Sequence, residues 1–394
     1  MSIMNTLLKV SRQKWFSGFT VLLLSLQLFT SCKTPDQKYQ VFVGTYTNTG
    51  SEGIYSFRFD PSTGVADSIV LAAKTDNPSF LEIDRQGKFL YAVNELDKSN
   101  NEPGGAVSTF SVNRKSGKLD FLGQVSSLGA WPAHLSLDKS GRFLMVSNYG
   151  GGNYAVFPLG NDGRPAKHSA FVQNEGSGAN AGRQDAPHAH YIQTTNNNRF
   201  VMVADLGTDK IMIHRFDETT GALSPANPGF IQSDPGAGPR HFAFSPSGKL
   251  LYVLNELTST ITVFDVDPAV PTFTGKQTIT TLPDQFTGDN TTAEIVVDAK
   301  GRFLYASNRG DNSIVQYSIN PEDGSLTPVA WVPSGGETPR NFEIDPTGKW
   351  LFVANQNSDN IIIFSIDQES GRLVKTAGSV KVSAPVCIRF VSLD

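Results

Sequence analysis

One phrase recurs through most of this chain, and it constrains the fold more than any other feature. A Pro or its equivalent precedes a short apolar run; a Gly-Lys/Arg turn follows; a second apolar run ends in Asn or Asp. It reads NPSFLEIDRQGKFLYAVNEL from Asn77, WPAHLSLDKSGRFLMVSNYG from Trp131 and APHAHYIQTTNNNRFVMVADLG from Ala186. It returns as GPRHFAFSPSGKLLYVLNEL from Gly238, TAEIVVDAKGRFLYASNRG from Thr292 and TPRNFEIDPTGKWLFVANQN from Thr338. The closing residues are Asn94, Asn148, Asp205, Asn255, Asn308 and Asn355, spaced by 54, 57, 50, 53 and 47 residues. A period near fifty, with β-branched and aromatic runs broken by turn residues, marks the blades of a β-propeller.

Each repeat reads as four strands. Strand A follows the Pro (FLEID from Phe80), strand B the Gly-Lys/Arg turn (FLYAVN from Phe89), and strand C is the next alternating run (ITVFDV from Ile261). Strand D follows turns such as Ser116 to Leu119 and Asp323 to Leu326, which are hairpin signals between runs of period two. At the N-terminal end QVFVGTYT, GIYSFRF and SIVLAA read as strands B, C and D without an A; at the C-terminal end APVCIRFV reads as a lone A. Joined, they make a seventh blade and remove the open sheet edges. The expected fold is all-β: a seven-bladed propeller over 40–394, closed by a blade drawn from both termini. No recurrent Trp-Asp dipeptide supports a WD-repeat protein.

The first thirty-one residues read as a separate segment. Lys9, Arg12 and Lys14 precede an apolar stretch from Phe16 to Thr30, and Ser31 stands directly before Cys32. This is the layout of a signal peptide, and Leu28 to Cys32 resembles a lipobox whose cysteine, Cys32, would be lipidated. Residues 32–39 would then be a tether, and the protein would be exported as a lipoprotein or into the periplasm, touching membrane only through its lipid. The second cysteine, Cys387, sits in an apolar strand and reads as a buried thiol, so no disulfide is expected. A net charge of −4 without long basic runs argues against a nucleic-acid partner. The propeller is expected to be monomeric.

The start of A and the end of B lie on one face, so topology gathers scattered residues. Before A stand His134, His188, His190, Arg240, His241, Glu294, Arg340 and Asn341; after B stand Asn94-Glu95, Asn148-Tyr149, Asp205, Asn255-Glu256, Asn308-Arg309 and Asn355-Gln356. The recurring Asn reads as turn chemistry, the Gly-Lys/Arg pair as a hairpin at the far end, and His168 and His214 as ordinary surface or strand residues. Variation at the other equivalent positions is where a function would be installed. Arg183, Arg240, Arg309 and Arg340, with imidazoles and the carboxylates Glu256 and Glu294, suit a small organic anion or polyhydroxy acid derivative and supply an acid–base set. The chain lacks HExxH, CxxC, EF-hand and GxSxG spacings. The His188 and His190 pair of Pro-His-Ala-His is expected to be divided between the two faces of its strand, so chemistry without a metal or other cofactor is expected.

The stretches VGTYTNTGSEGIYSFRFDPSTG, RQDAPHAH, GAGPRHFAFSPSGK, LNELTSTITVFDVD and AEIVVDAKGRFLYASNRGDNSI resemble the seven-bladed lactonase family, from about Tyr39 to the C-terminus. That family includes propeller-type 6-phosphogluconolactonases and carboxy-cis,cis-muconate cyclase. The resemblance implies His188, Arg240, Glu256 and Arg309 as catalytic residues, with Arg183, Gln184, His190, His241, Glu294 and Arg340 shaping the pocket. It implies hydrolysis of a small anionic or polyhydroxylated lactone, with Glu256 or His188 as the base. A muconate-type cyclase and a non-catalytic binding propeller are the alternatives. 6-Phosphogluconolactone is cytosolic, which sits awkwardly with export; an aldonolactone without phosphate would not.

Overall fold

The computed structural model describes residues 38–99, 102–267 and 269–393. The residues expected to form a signal peptide, Cys32 and most of the expected tether lie outside the described residues. The first strand, Tyr39–Thr45, begins one residue ahead of the expected boundary.

Six four-stranded antiparallel sheets and one five-stranded sheet form the seven blades. Blade 1 is the composite. Pro385–Ser392 pairs antiparallel with Tyr39–Thr45, which pairs in turn with Gly53–Asp60. Its outer strand is broken into Val65–Ala66 and Val70–Lys74. Blades 2 to 7 follow in chain order with their A strands innermost; in blade 2 that strand is only Leu81–Ile83. A small hairpin, Lys98–Ser99 with Glu102–Pro103, stands outside the blades.

The repeated phrase explains its own geometry. In the A–B hairpins the carboxylates of Asp84, Asp138, Asp298 and Asp345 accept backbone N–H bonds from the residues four and five positions on. The glycine inside that turn takes a left-handed conformation, as at Gly141 with φ 72°. At the other end the recurring Asn is structural, as expected. Asn148 donates to Ser127 O and Asn153 Oδ1, and Asn308 and Asn355 make the equivalent bonds, tying strand B to the loop after the preceding blade and to strand C of their own. The aromatic residues of strand B stitch neighbours together: Tyr91, Tyr252 and Tyr305 each donate to a carbonyl of the next blade. Trp350 does the same to Pro61 at 3.0 Å, closing the ring from blade 7 to blade 1. The core lies between blades, where Tyr252, Leu254 and Val263 of blade 5 meet Leu304, Ala306 and Tyr317 of blade 6.

One irregularity matters for function. Pairing of A with B slips at the second or third residue of A in blades 1 and 3 to 7. Such bulges re-aim side chains, and here they turn His190, Arg240 and Arg340 toward the central channel.

Candidate active site at the channel mouth

Beneath the mouth the channel narrows to a cavity of about 10 Å³, room for roughly one water molecule. His190, Arg240 and Arg340 line it with Ser79, Ala133 and Val386; Phe80, Glu95, His241, Glu294 and Asn341 complete the lining. A larger, mainly apolar cavity of about 210 Å³ lies at the A–B hairpin end, between blades 4 and 5, against Phe200, Phe244 and Phe273. It holds none of the residues singled out from the sequence.

Glu256 follows strand B of blade 5 and is nearly enclosed, 4% exposed. Three guanidiniums meet its carboxylate: Arg183 at 2.6 Å, Arg309 at 3.0 Å and Arg240 at 3.1 Å. Burial pushes the carboxyl upward, but Arg309, Arg240 and Arg183 outweigh it and hold the group at about 2. Arg240 also donates to Ala293 O and Arg309 to Thr292 O, so both are anchored from behind. Burial first, then Arg309 and Arg340, lowers Arg240; its contact with Glu256 keeps it charged.

His188 enters from blade 4. Asp205, closing that blade's strand B, accepts both the His188 backbone N–H at 2.7 Å and that of Gly207 at 3.0 Å. The imidazole stacks on Tyr149, with centroids 4.4 Å apart and planes inclined by 12°. Its Nδ1 lies 3.0 Å from the Tyr149 main-chain oxygen. A carbonyl can only accept, so Nδ1 carries the proton and Nε2 of the neutral ring is left as a lone pair. The Asp185 carboxylate, at the exposed rim, is 3.7 Å from Nε2. Tyr149 also acts electrostatically on Arg183, which places the stacked rings beside the Glu256 cluster.

A second imidazole group sits deeper. His241 Nδ1 is 2.9 Å from Glu294 Oε1, and Asn341 donates to Glu294 Oε2 at 2.6 Å. Burial first, then nearby charges, of which Arg240 is one, holds His190, His241 and His134 well below the ordinary histidine value, so these rings are neutral. Burial raises Glu294 against the pull of Arg240.

Two expectations need correction. Gln184 does not face a substrate: it is wholly buried, its amide donating to Leu206 O and Asp209 Oδ1 and accepting from Asn180 N. It holds the loop that presents Arg183. The expected division of His188 and His190 does not hold: strand alternation puts residues two apart on one face, and here His188 precedes the strand Ala189–Thr194, His190 sits in its bulge, and both rings meet Tyr149. Among the described residues no three or more His, Cys, Asp or Glu side chains are placed to hold a metal ion. His214 is a strand residue bonded to Tyr154.

Sequence reasoning missed Tyr46 as a site residue. Its hydroxyl donates to Glu95 at 2.8 Å and the Arg340 guanidinium lies 5.3 Å over its ring. The signal was present: Tyr46 follows strand B of the composite blade, the position that Glu95, Tyr149, Glu256 and Arg309 hold in theirs.

A closed propeller whose channel mouth gathers an oriented imidazole, a carboxylate under three arginines and buried neutral histidines defines a small-molecule enzyme built on a β-propeller. The chain matches the family model described as lactonase, 7-bladed beta-propeller, over residues 40–390, and it belongs to that family of ester hydrolases. It is 35% identical over 353 residues to the 6-phosphogluconolactonase of Bacillus subtilis (strain 168), covering 90% of this chain and 98% of that one. A 6-phosphogluconolactonase of Formosa agariphila is 36% identical over 308 residues, covering 76% and 85%. Among solved structures, the periplasmic gluconolactonase of Pseudomonas aeruginosa superposes with a TM-score of 0.85 at 33% identity, covering 91% of this chain and 100% of that one.

Proposed function

We propose that this protein hydrolyses a sugar lactone, 6-phosphogluconolactone or a related aldonolactone, to the open acid without a metal. The observation that carries the reading is the His188 tautomer: Nδ1 is committed to Tyr149 O, leaving Nε2 as a base beside the arginine cluster. In this mechanism a water attacks the lactone carbonyl and gives its proton to His188 Nε2. Arg183 and Arg309, the more accessible of the three cations on Glu256, stabilise the oxyanion. The ring C–O bond then breaks, and the ring oxygen takes the proton back from His188. Glu256, held at about 2, has no proton to give at neutral pH and little basicity. Its role is to fix the arginines. Arg240 braces the carboxylate from the channel side.

The names of the relatives in B. subtilis and F. agariphila support the phosphorylated substrate, and that of the P. aeruginosa protein supports an unphosphorylated one. The N-terminal segment ending at Cys32 supports export as a lipoprotein, and the P. aeruginosa neighbour is described as periplasmic. Among the described residues no helix is long and apolar enough to cross a membrane. The ring is closed by its own two ends, so no blade needs a strand from a second copy, which is the basis for proposing a monomer.

Proton release from 6-phosphogluconolactone and glucono-δ-lactone, with and without EDTA, tests the activity. Turnover above the spontaneous rate that survives EDTA supports the proposal; no excess rate on either lactone refutes it for these substrates. Cell fractionation of wild type and Cys32→Ala tests the anchor, which requires the variant to leave the membrane fraction.

A further inference from the structure

Four arginines converge on the mouth, but only three of them form ion pairs there among the described residues. Arg183, Arg240 and Arg309 share the single carboxylate of Glu256. Arg340 makes no ion pair within 4.0 Å among the described residues; its guanidinium lies 5.3 Å over the Tyr46 ring, and Glu95, which lines the same cavity, acts on it only through space. The Tyr46 hydroxyl is itself committed to Glu95. Burial, more than the neighbouring charges, holds Tyr46 as the neutral phenol.

That geometry leaves a specific face available. A guanidinium lying over a ring spends its π-face on the contact and keeps its in-plane N–H donors, the fork that matches two oxygens of a phosphate or carboxylate. Arg340 also stands at a defined place. It occupies the bulge of blade 7, while the equivalent residue of blade 4 is His190, three blades away around the seven-membered ring. His188 lies beside His190, so Arg340 and the proposed base stand on opposite sides of the mouth.

Resting on the lactonase reading, we propose that Arg340 is the anion anchor of the site. It binds a negatively charged substituent remote from the reacting carbonyl and so selects charged lactones over neutral ones. The substituent is a phosphate monoester or a carboxylate, which share the oxyanion chemistry that the fork reads. Arg340 acts here as a specificity residue, separate from the three arginines held by Glu256.

The test compares three lactones: 6-phosphogluconolactone, a glucaric acid monolactone and the neutral glucono-δ-lactone. Wild type, Arg340→Gln and Arg340→Lys are each measured. The ratio of kcat/KM for the preferred charged lactone to that for the neutral one should fall at least about tenfold in Arg340→Gln, mainly through KM, and partly recover in Arg340→Lys. The charged lactone with the larger fall identifies phosphate or carboxylate as the group read. An unchanged ratio in both variants overturns the proposal. Calorimetry with 6-phosphogluconate, glucarate and gluconate, which share one carboxylate and differ in the substituent at the other end, gives a readout that needs no turnover. Weakening of 6-phosphogluconate or glucarate relative to gluconate in Arg340→Gln sustains the anchor even if no lactone is hydrolysed; equal weakening of all three overturns it. Should Arg340→Gln misfold by circular dichroism, Arg340→Lys, which keeps the charge but loses the fork, carries the comparison alone.

Discussion

His188 Nδ1 stands 3.0 Å from the main-chain oxygen of Tyr149, and the two rings stack 4.4 Å apart. One residue therefore sets both the tautomer and the orientation of the imidazole. The backbone bond fixes the proton and survives any substitution at position 149; the stack fixes the ring plane and does not. Tyr149→Phe should keep most of kcat, whereas Tyr149→Ala should lower it roughly ten- to hundredfold through loss of orientation. Steady-state kinetics on the best lactone separates the two, and equal effects would show that the hydroxyl matters more than the stack.

Glu256 links the site to acid stability. Its folded value of about 2 lies below the ordinary 4.5, so its charge stabilises the fold above pH 4.5. That contribution is lost as pH falls from 4.5 toward 2. Urea unfolding of the wild type should weaken across this window, and Glu256→Gln should weaken less steeply there. At neutral pH the variant should be less stable by about 3–5 kcal/mol, because three partly buried cations lose their counter-ion. A variant as stable as wild type at pH 7 would contradict this role.

Gly207 holds the His188 segment in place through its lack of a side chain. A Cβ there would lie 1.9 Å from Ala186 O and 2.7 Å from the His188 nitrogen, both backbone atoms with no freedom to yield. Gly207→Ala should cost about 1–3 kcal/mol by overpacking. It should also lower kcat by displacing His188, although position 207 bears no reacting group. Thermal melts and kinetics on the same sample check both effects; a wild-type kcat would show that His188 placement tolerates the shift.

Cys387 lies on the closing strand, fully buried, its thiol pushed up to about 11 by burial. In a Cys32→Ser background it should resist a thiol reagent at pH 8 in the native state and react once the ring opens in denaturant. Rapid native labelling would mean that the junction between Pro385–Ser392 and Tyr39–Thr45 opens without global unfolding.

The blades were legible because a propeller repeats its turn chemistry. The Asp138-type hairpin carboxylates, the glycines in left-handed turns and the Asn148-type ties leave the same letters at the same spacing. The composite blade was legible because each chain end held what the other lacked. His188, Arg240, Glu256, Arg309 and Arg340 were legible as departures from the repeat, and Arg183 through the RQDAPHAH stretch that carries the family resemblance. Pairings were not. That Glu256 pairs with three arginines while Arg340 makes no ion pair among the described residues depends on side-chain direction across blades, and period counting carries no such information. Gln184 was misread because its loop lies outside the repeat, where nothing in the sequence tells a buried amide from a presented one. Tyr46 was overlooked because its blade begins at strand B, so the phrase that flags the position elsewhere is missing.

The most direct test of the account is the rate of proton release from the preferred lactone by wild type and His188→Ala, each corrected for spontaneous hydrolysis. The His188 side chain meets Tyr149 and Asp185 at the rim of the site and takes no part in a core cluster, so the variant should fold and bind. Its kcat should fall by about 10²–10⁴-fold, the usual worth of a positioned acid–base group, with KM little changed. A folded His188→Ala protein that hydrolyses the lactone at the wild-type rate would contradict the account and move the base elsewhere in the channel.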